Sequence, residues 1–231
     1  MKLRALIFDV DGTLAETEEA HRHAFNQTFT ASGLDWFWDR KKYADLLLTT
    51  GGKERMQRFR NEIGLNTLSD EEIAELHERK TKCYSGRLTT TGIPLRPGVA
   101  DLIMQAKKKG IKVAIATTTS RKNVDTLVES CWKKPVSDVF DVVAAGDEVR
   151  SKKPASDVFD LALQRLGLYA DACVAFEDSV NGLKSAKSAG LRVVITPSSY
   201  TANEDFSSAE WIVQSLEEKH LPSDLMLVLN S

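Results

Sequence analysis

The stretch Leu6-Ile7-Phe8-Asp9-Val10-Asp11-Gly12-Thr13-Leu14 decides how the rest of the chain reads. An apolar run from Ala5 to Phe8 meets two aspartates one residue apart, then Gly-Thr. Short unbroken apolar runs form buried strands, and a buried strand holds an unpaired carboxylate only at great cost. Asp9 and Asp11 are therefore expected at the strand's C-terminal end, where open α/β sheets form a ligand crevice. Strand alternation puts both on one side of the chain. Gly12 allows a sharp turn behind them. One Asp-Gly would suit an Asx turn closing a strand. The longer apolar-D-V-D-G-T-L pattern points to a catalytic pair.

The composition is that of an ordinary globular protein. With 42% hydrophobic and 28% charged residues among 231, the chain suits one unit, or a core with a smaller insert. A net charge of −2 leaves no basic footprint for nucleic acid. No apolar stretch approaches the roughly 18 residues that span a bilayer, so no membrane partner is expected. Cys83, Cys131 and Cys173 are odd in number and far apart. That argues against a disulfide framework or a zinc site and fits inert thiols in a reducing compartment. The first strand is expected almost at Met1, with no signal or transit peptide before it. A monomer is expected.

Residues 16–92 read as helices. Ala20, Ala24, Phe25, Thr28 and Phe29 follow helical spacing, ended by Gly33. After an aromatic corner at Trp36-Phe37-Trp38, Asp39 suits the cap of a short helix. Met56, Phe59 and Ile63 mark a third, ended by Gly64. Ser69-Asp70-Glu71-Glu72 is a capping box for a fourth carrying Ile73, Leu76 and Cys83. From Pro97, placed at a first helical position, strands alternate with helices. The strands are Ile111 to Thr117, Phe140 to Ala145, Val174 to Glu177, Arg192 to Thr196 and Trp211 to Val213. This is the pattern of a parallel sheet with crossovers. The expected architecture is α/β: a Rossmann-like parallel-sheet core over 1–15 and 93–231, with an inserted four-helix cap over 16–92. The two connections, Leu14–Glu16 and about Gly86–Arg96, read as a hinge for a lid that excludes water.

Each main strand ends in polar groups. Thr117-Thr118-Thr119-Ser120 offers more hydroxyls than one helix cap needs and suits a phosphate cradle. Ser151-Lys152-Lys153-Pro154 alone reads as a solvated loop. Glu177-Asp178 ends an apolar strand; capping by Asp178 or Ser179 would leave Glu177 unexplained. Beside Asp9 these acids would crowd like charges unless a cation were bound, and hard oxygen ligands with phosphate select Mg2+. In the insert three features stand out: Glu16-Thr17-Glu18 with His21, the turn Thr50-Gly51-Gly52-Lys53-Glu54-Arg55, and His77 with Lys80 on one helical face. A hinge, a helix start and a wet face would account for them without function.

D-V-D-G-T resembles the nucleophile motif of the haloacid-dehalogenase-type phosphatases. The resemblance implies that Asp9 attacks phosphorus, and that Asp11 protonates the leaving oxygen and then activates water. Lys153-Pro154 with Ala155-Ser156-Asp157-Val158-Phe159 resembles the family's K-P-x-x-D-hydrophobic-F motif. It implies Lys153 as the neutralising lysine, with Lys152 as a possible substitute. Mg2+ is implied on the Asp9 carboxylate, the Asp11 backbone carbonyl and Asp178, with Glu177 nearby or through water. The longer strings D-V-D-G-T-L-A-E-T-E-E-x-H, D-W-F-W-D-R, T-T-G-G-K-E-R, A-T-T-T-S and E-D-S-x-N-G-L look like the CbbY proteins of carbon-fixing bacteria and plastids. That family dephosphorylates xylulose 1,5-bisphosphate, a misfire product that inhibits Rubisco, to xylulose 5-phosphate. The implied substrate contacts are Glu18, Thr50, Gly51, Gly52, Lys53, His77, Lys80, Thr117, Thr118, Thr119, Ser120, Lys153 and Asn181. The implied compartment is the chloroplast stroma with a transit peptide removed, or alternatively a bacterial cytoplasm.

Three rivals stand beside this reading. A β-phosphoglucomutase-like mutase would keep its aspartyl-phosphate through product release. A different phosphatase would prefer another small sugar phosphate or phosphoglycolate. A phosphosugar-binding regulator would be inert toward phosphate esters. A dehalogenase leaves Asp11 without a role.

Overall fold

A computed structural model describes residues 2–64 and 68–230. The chain divides into two compact units, Met1–Glu16 with Ile93–Ser231, and Thr17–Gly92.

Among the described residues, the first unit holds one sheet of six parallel strands. They are β1 (Ala5–Phe8), β2 (Lys112–Ala116), β3 (Val142–Ala144), β4 (Cys173–Glu177), β5 (Arg192–Ile195) and β6 (Trp211–Ile212), in the order β3-β2-β1-β4-β5-β6. β1 lies near the middle because it is apolar throughout and buried on both faces. Ala5 and Ile7 join a core with Phe159, Ala162, Leu183 and Ala186. Phe8 instead stacks on Phe176, with ring centroids 4.5 Å apart. Burying each of the leucine, isoleucine and phenylalanine side chains stabilises the fold by roughly 1.5–3 kcal/mol. The intervening helices are α5 (Val99–Lys108), α6 (Arg121–Trp132), α7 (Val136–Val139), α8 (Asp157–Leu166), α9 (Val180–Ser188) and α10 (Ser223–Leu229).

The second unit is helical: α1 (Glu18–Ala31), α2 (Arg40–Leu47), α3 (Gly52–Glu62) and α4 (Asp70–Thr91). Its core is aromatic. Trp38 packs against Phe25, Phe29, Tyr43 and Phe59. The Asp39 carboxylate accepts from Lys42 N at 2.7 Å, as an N-cap should. The capping box is complete: Ser69 Oγ accepts from Glu72 N, and Glu72 Oε2 accepts from Ser69 N.

Some local readings differ. Pro97 does not open α5, because Gly98 takes the N-cap position with φ +85° and the helix starts at Val99. Gly86 lies inside α4, so the second connection begins only at Gly92. Helices α7 and α10 were not expected; each is short and follows a proline, Pro135 and Pro222. Among the described residues no helix is long and apolar enough to cross a membrane.

Candidate active site

The sheet register assembles the polar groups. Phe8 pairs with Ile115 on β2 and with Phe176 on β4. One residue further along, the chain therefore delivers Asp9, Ala116 and Glu177 side by side. Strand alternation, which is local, and the parallel register, which is not, thus bring residues some 170 positions apart to one end of the sheet.

Asp9, Glu177 and Asp178 are all buried, and their ligand atoms lie within 4.8 Å of one another. Lys153 stands among them. Its ammonium donates to Asp9 Oδ1 at 2.6 Å, Glu177 Oε1 at 2.5 Å and the Ala116 carbonyl at 2.9 Å. Lys152, one residue earlier, is half-buried, so the choice between the two lysines falls on Lys153. The loop behind it explains the motif: the Asp157 carboxylate accepts from Ser151 N, and Lys153 Nζ lies 5.1 Å over the Phe159 ring.

The charge balance is strained. Burial pushes the Asp9 carboxyl well above its usual range; Lys153 opposes this, and Glu177 and Asp11 add to it. For Lys153, burial works to lower the pKa, but the two carboxylates it touches outweigh burial and raise it. Three converging buried carboxylates with one ammonium form a hard-oxygen donor set that fits a divalent cation. Ser179 caps α9, accepting from Gly182 N at 3.1 Å. Gly12, at φ +85°, has no room for a side chain, since a Cβ there would lie 2.2 Å from Asp178 Oδ2. Asp178 thus packs directly on the loop carrying Asp11. Thr201 Oγ1 donates to Asp178 Oδ2 at 3.4 Å.

After β2, Thr117 is buried and its hydroxyl accepts from Thr119 N at 3.2 Å. Thr118, Thr119 and Ser120 are half-buried. Ser120 sits at the N-cap position of α6 without capping it, and its buried Oγ has no partner among the described residues. Asn123 orients the stretch by donating to Thr119 Oγ1 at 3.1 Å. These hydroxyls at a helix N-terminus suit an anion. Asn181 lies half-buried in the first turn of α9.

The helical unit gathers its own cluster. A Cβ on Gly52 would sit 2.7 Å from His77 Nε2 and 3.1 Å from Phe25, so only glycine lets the turn and α4 meet. Lys80 is not on a wet face: it is buried, with Nζ 2.7 Å from His21 Nδ1 and 4.3 Å from the Phe25 ring centroid. His21 stacks on Tyr84 at 3.8 Å. Tyr43 OH donates to Glu18 Oε2 at 2.6 Å and accepts from Arg55 Nη1 at 3.3 Å; Arg55 Nε donates to Thr49 O. This ties Glu18 to the segment before Thr50 and Gly51. Lys53 is exposed.

Sequence reasoning missed Tyr43, Arg96, Asn123 and Thr201, and singled out Arg55 only as part of the turn after Thr50. A tyrosine on a helix's buried face reads as core, and a lone arginine or threonine in a loop carries no pattern. The three cysteines are free thiols, and burial raises the pKa of each, Cys173 to about 11.

Residues 3–190 match the haloacid dehalogenase-like hydrolases. Protein CbbY of Rhodobacter capsulatus is 57% identical over 216 residues, covering 94% of this chain and 95% of that protein. A CBBY-like protein of Arabidopsis thaliana is 41% identical over 214 residues, covering 89% of this chain and 67% of that protein. Among solved structures, an Asp-to-Asn mutant of CbbY from Rhodobacter sphaeroides, in complex with xylulose 1,5-bisphosphate, matches with a TM-score of 0.89. It is 48% identical and covers 94% of this chain and 96% of that one. With its acidic crevice, parallel sheet and near full-length likeness to these proteins, the chain belongs to the haloacid dehalogenase-like hydrolases, as a phosphatase of the CbbY type.

Proposed function

We propose that this phosphatase is Mg2+-dependent and hydrolyses xylulose 1,5-bisphosphate to xylulose 5-phosphate through an aspartyl-phosphate on Asp9. The observation that carries the proposal is the convergence of buried Asp9, Glu177 and Asp178 around the Lys153 ammonium. Likeness to a CbbY crystallised with that bisphosphate supports the substrate.

Asp9 attacks phosphorus in line, and its charge, together with that of Lys153, sets the path of approach. Asp11 donates a proton to the departing sugar oxygen, then takes one from the water that hydrolyses the acyl-phosphate. Lys153 and the Thr117–Thr118 backbone and hydroxyls hold equatorial phosphoryl oxygens, so catalysis is positioning and charge neutralisation. Mg2+, held by the Asp9 carboxylate, the Asp11 carbonyl and Asp178 with Glu177 close by, would supply hard positive charge beside those oxygens. A bisphosphate needs a second anion site; Lys53, His77 and Lys80 are the proposed readers, with Glu18 and the Thr50–Gly52 turn toward the sugar. The biological role would be to clear a Rubisco inhibitor, in a chloroplast stroma or a bacterial cytoplasm.

Phosphate release from a panel of sugar bisphosphates and monophosphates tests this, with acid quenching to trap the acyl-phosphate on the peptide containing Asp9. Xylulose 1,5-bisphosphate should give the highest kcat/KM, with equal yields of xylulose 5-phosphate and phosphate. A preferred monophosphate, or isomerisation of β-glucose 1-phosphate without phosphate release, would overturn the reading.

A further inference from the structure

Arg96 lies outside every motif read from the sequence, yet it grips the loop that carries Asp11. Its guanidinium is almost fully enclosed, with 12% of the side chain exposed. Nη1 donates to the Gly12 carbonyl, to the Thr196 carbonyl at 2.7 Å and toward Thr196 Oγ1 at 3.3 Å. Nη2 donates to the Pro197 carbonyl at 2.8 Å. Nε lies 3.4 Å from Glu16 Oε1, and Glu16 Oε2 accepts from Ser199 Oγ at 3.0 Å.

These contacts join two parts of the site. Thr196 N donates to the Glu177 carbonyl at 2.9 Å, so the segment after β5 is fastened to the strand bearing Glu177. The Gly12 carbonyl belongs to the turn directly after Asp11, closed by Gly12 N to Ala15 O at 2.9 Å and Leu14 N to Val10 O at 2.9 Å. Arg96 N also donates to Leu14 O at 2.8 Å, so backbone and side chain hold the same turn from both sides. Three carbonyls from two segments converge on one planar cation. Arginine presents its donors in a rigid fork, whereas lysine offers a compact point charge and cannot span them.

We propose that Arg96 is a positioning residue that sets where the Asp11 carboxyl stands relative to the leaving oxygen. The inference rests on the acid–base role proposed for Asp11. A general acid works only within about 2.6–3.2 Å of the atom it protonates, and a displacement of about 1 Å costs on the order of a hundredfold.

A leaving-group comparison on the full chain with Mg2+ present tests it. A sugar alkoxide needs a proton as it departs; para-nitrophenolate does not. kcat/KM reports the steps through leaving-group departure. Arg96→Gln should lose about 10- to 100-fold in kcat/KM on a sugar phosphate and less than about threefold on para-nitrophenyl phosphate, with KM moved less than kcat on the sugar phosphate. Arg96→Lys, which keeps the charge and loses the fork, should show the same bias in smaller measure, and carries the test if the glutamine variant does not fold. Equal losses on both substrates, or none, overturn the inference. Asp11→Asn is the reference. If it shows the leaving-group bias and both Arg96 variants do not, the Arg96 inference alone is wrong. If Asp11→Asn shows no bias, the acid assignment fails and takes this inference with it.

Discussion

Lys153 Nζ stands 2.6 Å from Asp9 Oδ1, across 144 positions of chain, and both side chains are buried. The same ammonium reaches Glu177 Oε1 at 2.5 Å. Removing it leaves buried carboxylates unpaired, which typically costs about 3–5 kcal/mol. Lys153→Met should therefore lower both stability and rate. Losing one such charge-stabilising donor costs about 10²–10³ in kcat. At about 2–4 °C per kcal/mol for a chain of this size, differential scanning calorimetry should show a clear fall in Tm. A variant with wild-type Tm and kcat would contradict the ion-pair reading.

Asp9→Asn keeps the shape and removes the attacking charge. Turnover should fall by several orders of magnitude while circular dichroism stays native. The thermal shift on adding Mg2+ should shrink with it, because a proposed ligand is gone. Asp11→Asn should be comparably slow yet still take up substrate and Mg2+ in calorimetry. Near-normal phosphate release from the Asp9 variant would remove the nucleophile assignment.

Metal removal should be reversible. EDTA should abolish phosphate release and Mg2+ restore it. Ca2+ should restore it poorly, since its larger and looser shell misplaces the phosphoryl group. Full activity of the chelated protein would rule out a metal role for Asp9 and Asp178.

The two candidate distal lysines differ in burial, and their variants should differ too. A hydrogen bond to a charged group is worth roughly 1.5–3 kcal/mol, so Lys53→Ala or Lys80→Ala should cost about ten- to a hundredfold in kcat/KM on the bisphosphate. A monophosphate should be nearly unaffected. Lys80→Ala should also lower Tm, because Lys80 is buried against His21 and Phe25; Lys53 is exposed, and its variant should melt normally. Equal losses on both substrates would mean that neither lysine reads the second phosphate.

Between β3 and Lys153, Glu148 accepts from Ala145 N at 2.9 Å and from Arg165 Nη2 at 2.8 Å. The Arg165 hydrogen bond, ahead of the Ala145 one, lowers the Glu148 pKa; burial opposes it. A depressed carboxyl pKa gives stability above the ordinary glutamate range that fades as pH falls through the folded value. The pair is part-exposed, so screening holds its contribution below about 1 kcal/mol. Glu148→Gln should thus melt lower at pH 7, by no more than about 2–4 °C, with the gap closing toward pH 3. A gap that widens in acid would reverse the sign of this linkage.

The local patterns were legible because their causes lie within a few residues. The apolar run Ala5–Phe8, the Ser69–Glu72 box and the Asp39 cap each depend on neighbours three or four positions away. From them follow the helical insert, the parallel sheet and the gathering of polar groups at the strand ends. The motif singled out Lys153 over Lys152, but its contacts with Asp9 and Glu177 were not legible, since only the path of the loop sends one of two neighbouring lysines inward. Nor was the burial of Lys80, whose partner His21 lies 59 residues away on another helix. Arg96 is the extreme case: its acceptors at Gly12 and at Thr196–Pro197 belong to two segments far apart in the chain. Periodicity and capping are short-range and are written in the chain. The pairing of distant charges and carbonyls depends on how packed elements meet, and the tertiary structure alone decides it.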